Sequence, residues 1–202
     1  LELLERTPLR REPFDFIVVP DFLRAEALED VLRDFPDIRG PGNNDSEGLR
    51  CGPTFQLLLD ELASDGMAER FGRKFGIELG DCVPSIGVRG FSEPTDGNIH
   101  TDHRSKLVTL LLYFNREWPH AGGRLRMCRS LEDIEDYAAD VPPLAGTMLA
   151  FRRTDHSYHG HKPHDGVRKM LQLSWVEQSL MTRVERQLSR ISKPVRRILN
   201  VS

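Results

Sequence analysis

The first third of the chain combines one strand-like apolar run with two stretches of helical spacing. Residues 14–20 are rich in aromatic and β-branched side chains, which predicts a short strand. Apolar residues in 24–35 recur three and four positions apart, as on one face of a helix. Residues 53–75 repeat this spacing with an interruption near Ser64, so we expect two more helical pieces. The intervening stretch 37–53 is rich in Gly, Pro, Asn and Asp and is predicted to be a loop.

The pattern changes near residue 84, where short apolar runs alternate with turn residues. The predicted strands are 85–91, 98–102, 106–114, 123–128, 147–152, 157–161 and 167–176. The acidic stretch 131–140 is interpreted as a short helix or an excursion between strands. Many short strands in one block predict a sandwich or jelly roll. The basic tail from Gln178 is predicted to be a helix with an apolar packing face, or alternatively a phosphate- or membrane-binding surface.

Composition limits the organisation and the partners of the chain. Its 202 residues fit a single domain, 1–202, with an N-terminal strand and helical support at 1–83, a core at 84–176 and a helical tail at 177–202. The net charge of −3 argues against a nucleic-acid partner. No apolar run is long enough for a membrane span, and the first residues do not resemble a signal peptide.

The cysteines indicate a reducing compartment. Cys51, Cys82 and Cys128 are far apart and form no CxxC pair, so we expect free thiols rather than disulfides or a cysteine zinc site. A cytoplasmic location follows as an expectation. The oligomeric state is not predicted.

Candidate chemistry begins at His100-Thr101-Asp102. In a strand, positions i and i+2 project from one face, so His100 and Asp102 would be presented side by side. A surface histidine beside a turn aspartate is the alternative. One further histidine from the run 155–161 would complete a set of two histidines and one carboxylate, which favours Fe(II) and leaves coordination positions open. The residues alone leave His159 and His161 open, since both share a strand face.

Residues 84–176 resemble the 2-oxoglutarate- and Fe(II)-dependent oxygenases, in particular their prolyl 4-hydroxylase-like branch. The motifs that carry this resemblance, in chain order, are His100-Thr101-Asp102, Leu110-Leu111-Leu112-Tyr113-Phe114-Asn115, Gly122-Gly123-Arg124-Leu125, Pro143 with Gly146 and Phe151, and His159-Gly160-His161-Lys162-Pro163. The resemblance implies a mainly β fold, a double-stranded β-helix (jelly-roll) core with flanking helices. It also implies His100, Asp102 and His159 as the iron ligands, since the family's late histidine commonly has a proline four residues on. His161 is then left beside the site.

The resemblance further implies a cation that binds the far carboxylate of 2-oxoglutarate, on the last core strand. Both Arg168 and Lys169 have suitable spacing from His159. The family often has an inward tryptophan six residues after this cation, and Trp175 favours Lys169 on that ground. The bidentate fork of arginine favours Arg168. On balance, Lys169 is the preferred candidate. Tyr113 is the implied hydroxyl donor to the same carboxylate, or alternatively a core aromatic, and Thr109 is a possible helper.

The function implied is that of an Fe(II)- and 2-oxoglutarate-dependent dioxygenase. It would use O2 to hydroxylate a C–H bond of a small molecule or a peptidyl side chain, with release of succinate and CO2. The alternatives are a cupin-like metalloenzyme that does not use 2-oxoglutarate, and a catalytically silent binding domain on the same fold. Arginines near the core strands suggest an anionic substrate, or else they pair with acids on outward faces. The loop 37–53 is either a lid or a surface connection.

Overall fold

Residues 2–178 are the part of the chain that the computed structural model describes. They fold into two antiparallel sheets with helices on one side. The helices are α1 (Glu2–Arg6), α2 (Ala25–Arg33), α3 (Pro53–Leu62) and α4 (Asp65–Phe75). The strands are β1 (Phe16–Val19), β2 (Asn44–Asp45), β3 (Val83–Ser92), β4 (Lys106–Tyr113), β5 (Leu125–Cys128), β6 (Tyr137–Val141), β7 (Met148–Arg152), β8 (His159–Gly160) and β9 (Gly166–Val176).

The strands form the two layers of a jelly roll. The larger sheet has the order β1-β7-β4-β9-β3-β2, and the smaller sheet has the order β6-β5-β8. The fold is therefore mainly β with flanking helices, as predicted. Among the described helices, none has the length and apolar character needed to cross a bilayer.

Helices α3 and α4 begin and end where local chemistry favours it. Pro53 occupies the first position of α3, where its missing N–H costs nothing. Ser64 caps α4 by accepting a hydrogen bond from the Met67 N–H, and Gly76 ends α4 in the left-handed conformation. The interruption predicted near Ser64 is thus a cap between two helices.

The two faces of β9 belong to different layers. Leu171, Leu173 and Trp175 pack in the core between the large sheet and the helices, where Trp175 lies 5.0 Å from the ring of Phe71. Met170 belongs instead to the core between the two sheets. Both faces of the strand are therefore covered.

Three predictions of local structure differ from the fold. Residues 98–102 form no regular strand, since only His100 makes a bridge, with His159. Residues 131–140 form turns and part of β6, with no helix. Inside the predicted loop 37–53, the short strand β2 joins the edge of the large sheet beside β3. The predicted strand at 14–20 contains β1, which pairs with β7. The predicted helical tail lies outside the described residues, apart from its first position.

Candidate active site

His100, Asp102 and His159 come together beside a cavity. One potential ligand atom from each lies within 4.8 Å of the others, and no other such cluster of three occurs within residues 2–178. His100 and His159 are joined by a reciprocal pair of backbone hydrogen bonds, each 3.0 Å from nitrogen to oxygen. Backbone pairing therefore brings together two histidines that are distant in sequence.

Backbone carbonyls orient both imidazoles. The Nδ1 of His100 lies 2.8 Å from the carbonyl oxygen of Asn98, and the Nδ1 of His159 lies 2.9 Å from that of Ser157. A carbonyl only accepts, so each Nδ1 donates, which leaves the Nε2 lone pair for a metal. Burial lowers the pKa of His159 to about 4, so this ring is neutral near pH 7. The sequence contained no signal for these two carbonyl partners.

Two side chains hold the carboxylate of Asp102. Thr109 Oγ1 donates to Oδ2 at 2.6 Å, and Lys106 Nζ donates to Oδ1 at 2.8 Å. Burial works to raise the pKa of Asp102, but interaction with His159 and Lys106 outweighs it and holds the pKa below the usual value. Thr109 was predicted to help bind 2-oxoglutarate; its hydroxyl is instead committed to Asp102, with Ser174 3.2 Å away.

A cavity of about 260 Å³ adjoins the three candidate ligands and contains Arg168. The guanidinium donates from Nε to the Gly123 carbonyl at 2.8 Å, and its Nη1 lies 2.8 Å from the sulfur of Met170. Arg168 is only 3% exposed. No carboxylate of the described residues forms a salt bridge with it, and burial lowers its pKa. The cavity thus holds a desolvated cation that lacks an anionic partner.

Lys169 lies outside this cavity. Its Nζ is 5.2 Å from the centre of the Phe35 ring, and the residue lines a separate cleft of about 530 Å³ with Glu29 and Arg116. The preference for Lys169 as the cation that binds 2-oxoglutarate therefore does not fit the geometry. It assumed that Trp175 faces the iron site; Trp175 faces the helices, and Lys169 shares that face.

Comparisons with known proteins agree with this geometry. Residues 89–177, which include all three candidate ligands and Arg168, match the family model of the 2OG-Fe(II) oxygenase superfamily. The likeness to this superfamily covers 89 of the 202 residues. No curated protein sequence matches it significantly.

Solved prolyl hydroxylases share the fold of this chain. A Pseudomonas putida prolyl-4-hydroxylase is 18% identical with a TM-score of 0.57, over 81% of this chain and 92% of that one. A viral collagen prolyl hydroxylase from Paramecium bursaria Chlorella virus-1, in complex with 2-oxoglutarate, is 11% identical with a TM-score of 0.55, over 81% and 96%. A Trichoplax adhaerens prolyl hydroxylase in complex with a peptide fragment is 16% identical with a TM-score of 0.53, over 80% and 83%.

Tyr113 lies beside Arg168. The Arg168 guanidinium carbon is 5.7 Å from the centre of the Tyr113 ring. The Tyr113 hydroxyl is fully buried and has no hydrogen-bond partner among the described residues. Burial raises its pKa to about 12, although the Arg168 charge opposes the rise, so the hydroxyl keeps its proton. The Tyr113 hydroxyl is thus a hydrogen-bond donor that lacks an acceptor, and it lies next to the Arg168 guanidinium, which lacks an anionic partner.

The other histidines occupy different places. His161 lines the cavity, and its Nδ1 lies 2.8 Å from the Lys162 carbonyl. His156 is exposed, and His164 lies 4.6 Å from the ring of Trp118. His159 is thus the member of the late histidine run that meets His100 and Asp102.

The arginines near the core strands are mostly paired with acids. Arg89 lines the cavity and bridges Asp96 at 2.7 Å. The remaining pairs are Arg124 with Asp140, Arg126 with Glu135 and Arg153 with Asp155. This pairing favours the alternative in which these arginines do not recruit an anionic substrate. No sequence motif marks Lys106, Asn43 or Gln172. Lys106 contacts Asp102, whereas Asn43 and Gln172 line the cavity.

Proposed function

We propose that this protein is an Fe(II)- and 2-oxoglutarate-dependent dioxygenase that hydroxylates a C–H bond of a small molecule or a peptidyl side chain. The observation that carries the proposal is the position of Arg168. A buried guanidinium without a carboxylate partner is costly, and it lies in the same cavity as a possible two-histidine, one-carboxylate metal site. A dicarboxylate that binds the metal at one end and Arg168 at the other would satisfy both.

The residues present fit both groups. Two imidazoles and one carboxylate are the ligand set that suits non-haem Fe(II) and leaves positions for further ligands. Arg168 offers a fork to the far carboxylate of 2-oxoglutarate, and the unpaired Tyr113 hydroxyl offers one more donor. Fe(II), 2-oxoglutarate and O2 would supply the oxidation itself, with succinate and CO2 as co-products.

Within this proposal, the side chains of the protein hold the metal and orient its ligands. His100, Asp102 and His159 hold the metal, and the carbonyl partners of the imidazoles fix their direction. Thr109 and Lys106 hold the carboxylate of Asp102 in place.

Apolar side chains limit access of water to the cavity. They are Leu111, Leu125, Phe151 and Met170.

Hydroxylation is the outcome that the ligand set supports. Asp102 supplies a third protein ligand, whereas halogenating relatives lack this carboxylate so that halide can bind. The fold shared with a prolyl hydroxylase that was solved with a peptide supports the peptidyl option. Cys51, Cys82 and Cys128 form no disulfide with one another, which supports a reducing compartment such as the cytoplasm.

Arg168 also separates the proposal from its alternatives. A cupin-like metalloenzyme that does not use 2-oxoglutarate has no use for a buried cation opposite the metal. A silent binding domain has no need to keep three possible ligands together with that cation. Neither alternative accounts for the Tyr113 hydroxyl.

Anaerobic reconstitution with Fe(II) and 2-oxoglutarate tests the proposal. The intact protein should develop a weak visible metal-to-ligand charge-transfer band. His100→Ala and Asp102→Ala should lose it, whereas the exposed control His156→Ala should keep it. Absence of the band from intact protein that has bound both groups would show that the cosubstrate assignment is wrong. A substrate screen that measures succinate above the uncoupled background would then identify the molecule that is hydroxylated.

A further inference from the structure

The segment before β2 is attached along β3, at the edge of the cavity. Asn44 and Asp45 of β2 pair with Val88 and Gly87 of β3. The Asn44 side chain also donates to the Val88 carbonyl at 3.2 Å. Part of the loop predicted at 37–53 is therefore a wall of the jelly roll.

Two glycines of β3 provide the space for this wall. A Cβ at Gly90 would lie 2.7 Å from the carbonyl oxygen of Ile38. A Cβ at Gly87 would overlap the side-chain carboxamide of Asn43. The Asn43 carboxamide thus lies against the bare backbone of Gly87, where any other residue would place its side chain.

The register of the sheet brings a second carboxamide to the same place. Gly87 pairs with Gln172 of β9, and paired residues present their side chains on one face of a sheet. Asn43 and Gln172 both line the cavity that contains Asp102. Within the described part of the chain, neither side-chain amide has a hydrogen-bond partner, so both are free to bind a molecule in the cavity.

The charged groups around these two amides are already matched. Arg89 is neutralised by Asp96 at 2.7 Å, and Arg168 is the cation that the proposed function assigns to 2-oxoglutarate. His161 Nδ1 lies 2.8 Å from the Lys162 carbonyl oxygen, to which it donates. Apart from Asp102 of the candidate metal site, no other Arg, Lys, Asp or Glu of the described residues lines this cavity.

We propose that Asn43 and Gln172 are specificity-determining residues that bind an uncharged amide group of the substrate, an assignment that rests on the proposed function. A carboxamide offers one donor and one acceptor, which match the carbonyl and N–H of another amide. A carboxylate would accept only from the N–H donors of the two carboxamides and would leave their oxygens without a donor. An ammonium group would donate only to the two carboxamide oxygens and would leave their N–H groups without an acceptor. The site therefore selects a neutral carboxamide or peptide group over either charged form.

Small probes test this selection without knowledge of the substrate. The protein is loaded with Mn(II) and 2-oxoglutarate, and the methylene protons of N-acetylglycinamide, N-acetylglycine and glycinamide are followed by NMR. Relaxation by the bound Mn(II) reports binding near the metal. We expect the neutral N-acetylglycinamide to be relaxed most. Asn43→Leu should reduce its binding roughly five-fold, the size of one neutral hydrogen bond.

Three further variants sharpen the result. Gly87→Ala displaces the Asn43 carboxamide and should reproduce the Asn43→Leu effect, whereas Gly80→Ala, which meets no atom within 4 Å, should bind like the intact protein. Asn43→Asp should shift the preference towards the cationic glycinamide.

Specific outcomes would overturn the inference. The inference fails if the intact protein does not prefer the neutral probe, or if the Asn43→Leu variant keeps the same preference. It also fails if the main defect of Asn43→Leu is a higher requirement for 2-oxoglutarate. Failure of the proposed function is read separately, by electron paramagnetic resonance: Mn(II) binding that survives His100→Ala would remove the metal site itself.

Discussion

Arg168 and Lys169 are adjacent in sequence and face opposite layers of the molecule. The Arg168 side chain enters the cavity between the sheets, whereas Lys169 points towards the helices and Phe35. This alternation follows from the pleat of β9, in which successive side chains project to opposite faces. Only one of the two cations is therefore placed to bind a cosubstrate next to the candidate metal ligands.

Substitution of these two residues separates their roles. Arg168→Ala should raise the 2-oxoglutarate concentration needed for half-maximal binding by at least about 30-fold, because loss of one partner of a buried charge pair costs about 2 kcal/mol or more. Lys169→Ala, the matched control, should change it little. Titration of the charge-transfer band measures both. A larger effect from Lys169→Ala would contradict the assignment.

The hydroxyl of Thr109 should matter for the metal. Its 2.6 Å hydrogen bond orients Asp102, and partners of ligands in other metal sites change affinity by roughly 10–100-fold. Thr109→Val keeps the shape and removes the donor, so Mn(II) binding should weaken by about that factor. Thr109→Ser keeps the donor and should bind Mn(II) like the intact protein. Equal Mn(II) affinity of the two variants, in a spectroscopic titration, would rule out this role.

Tyr113→Phe should have opposite effects on stability and on binding. The Tyr113 hydroxyl is buried without a partner, which costs roughly 1–3 kcal/mol, so its removal should leave the free energy of unfolding unchanged or raise it. The same change should weaken 2-oxoglutarate binding, since a donor is lost. Urea denaturation and cosubstrate titration measure the two quantities. A variant that loses stability and binds 2-oxoglutarate normally would show that Tyr113 is only a core aromatic.

Acid should destabilise the chelator-treated protein. Burial lowers the pKa values of His159 and His161 to about 4, below the ordinary 6.5. The unfolded chain therefore binds more protons between these values, and the free energy of unfolding falls as pH falls through this range. Between pH 7 and pH 5 we expect a loss of roughly 1–2 kcal/mol for each histidine.

One variant and one control check this pH dependence. Urea denaturation of His161→Gln should show about half of the loss, whereas His156→Gln, at an exposed position, should show all of it. An intact protein whose stability does not change between pH 7 and pH 5 would contradict the burial argument.

Local patterns in the sequence were sufficient for most elements. Helical spacing in 24–35 predicted α2, and the interruption near Ser64 predicted the boundary between α3 and α4. The spacing of His100 and Asp102 identified two side chains that the structure does bring together, although 98–102 is not a strand. An irregular segment held by one backbone bridge has no periodic pattern in its sequence, so the pattern could not distinguish it from a strand.

The remaining errors concern partners in three dimensions. Both faces of β9 are buried, so the apolar character of Trp175 could not tell whether it faces the candidate metal site or the helices. Its contact with Phe71 shows that it faces the helices. Thr109 could equally serve a cosubstrate or Asp102 until the fold placed them 2.6 Å apart. Asn43 lies in a stretch whose composition indicates only a loop, and its place in the cavity depends on the missing side chain of Gly87.

The reciprocal backbone bonds between His100 and His159 make the frame of the site independent of the side chains that it displays. Any non-proline residue at either position can donate and accept the same two bonds. A protein engineer could therefore exchange a ligand here, for example to recruit a different metal or an exogenous halide, without dismantling the scaffold. The two backbone bonds stay the same whichever side chains these positions carry. This pair of positions is therefore a practical starting point for designed oxidation catalysts.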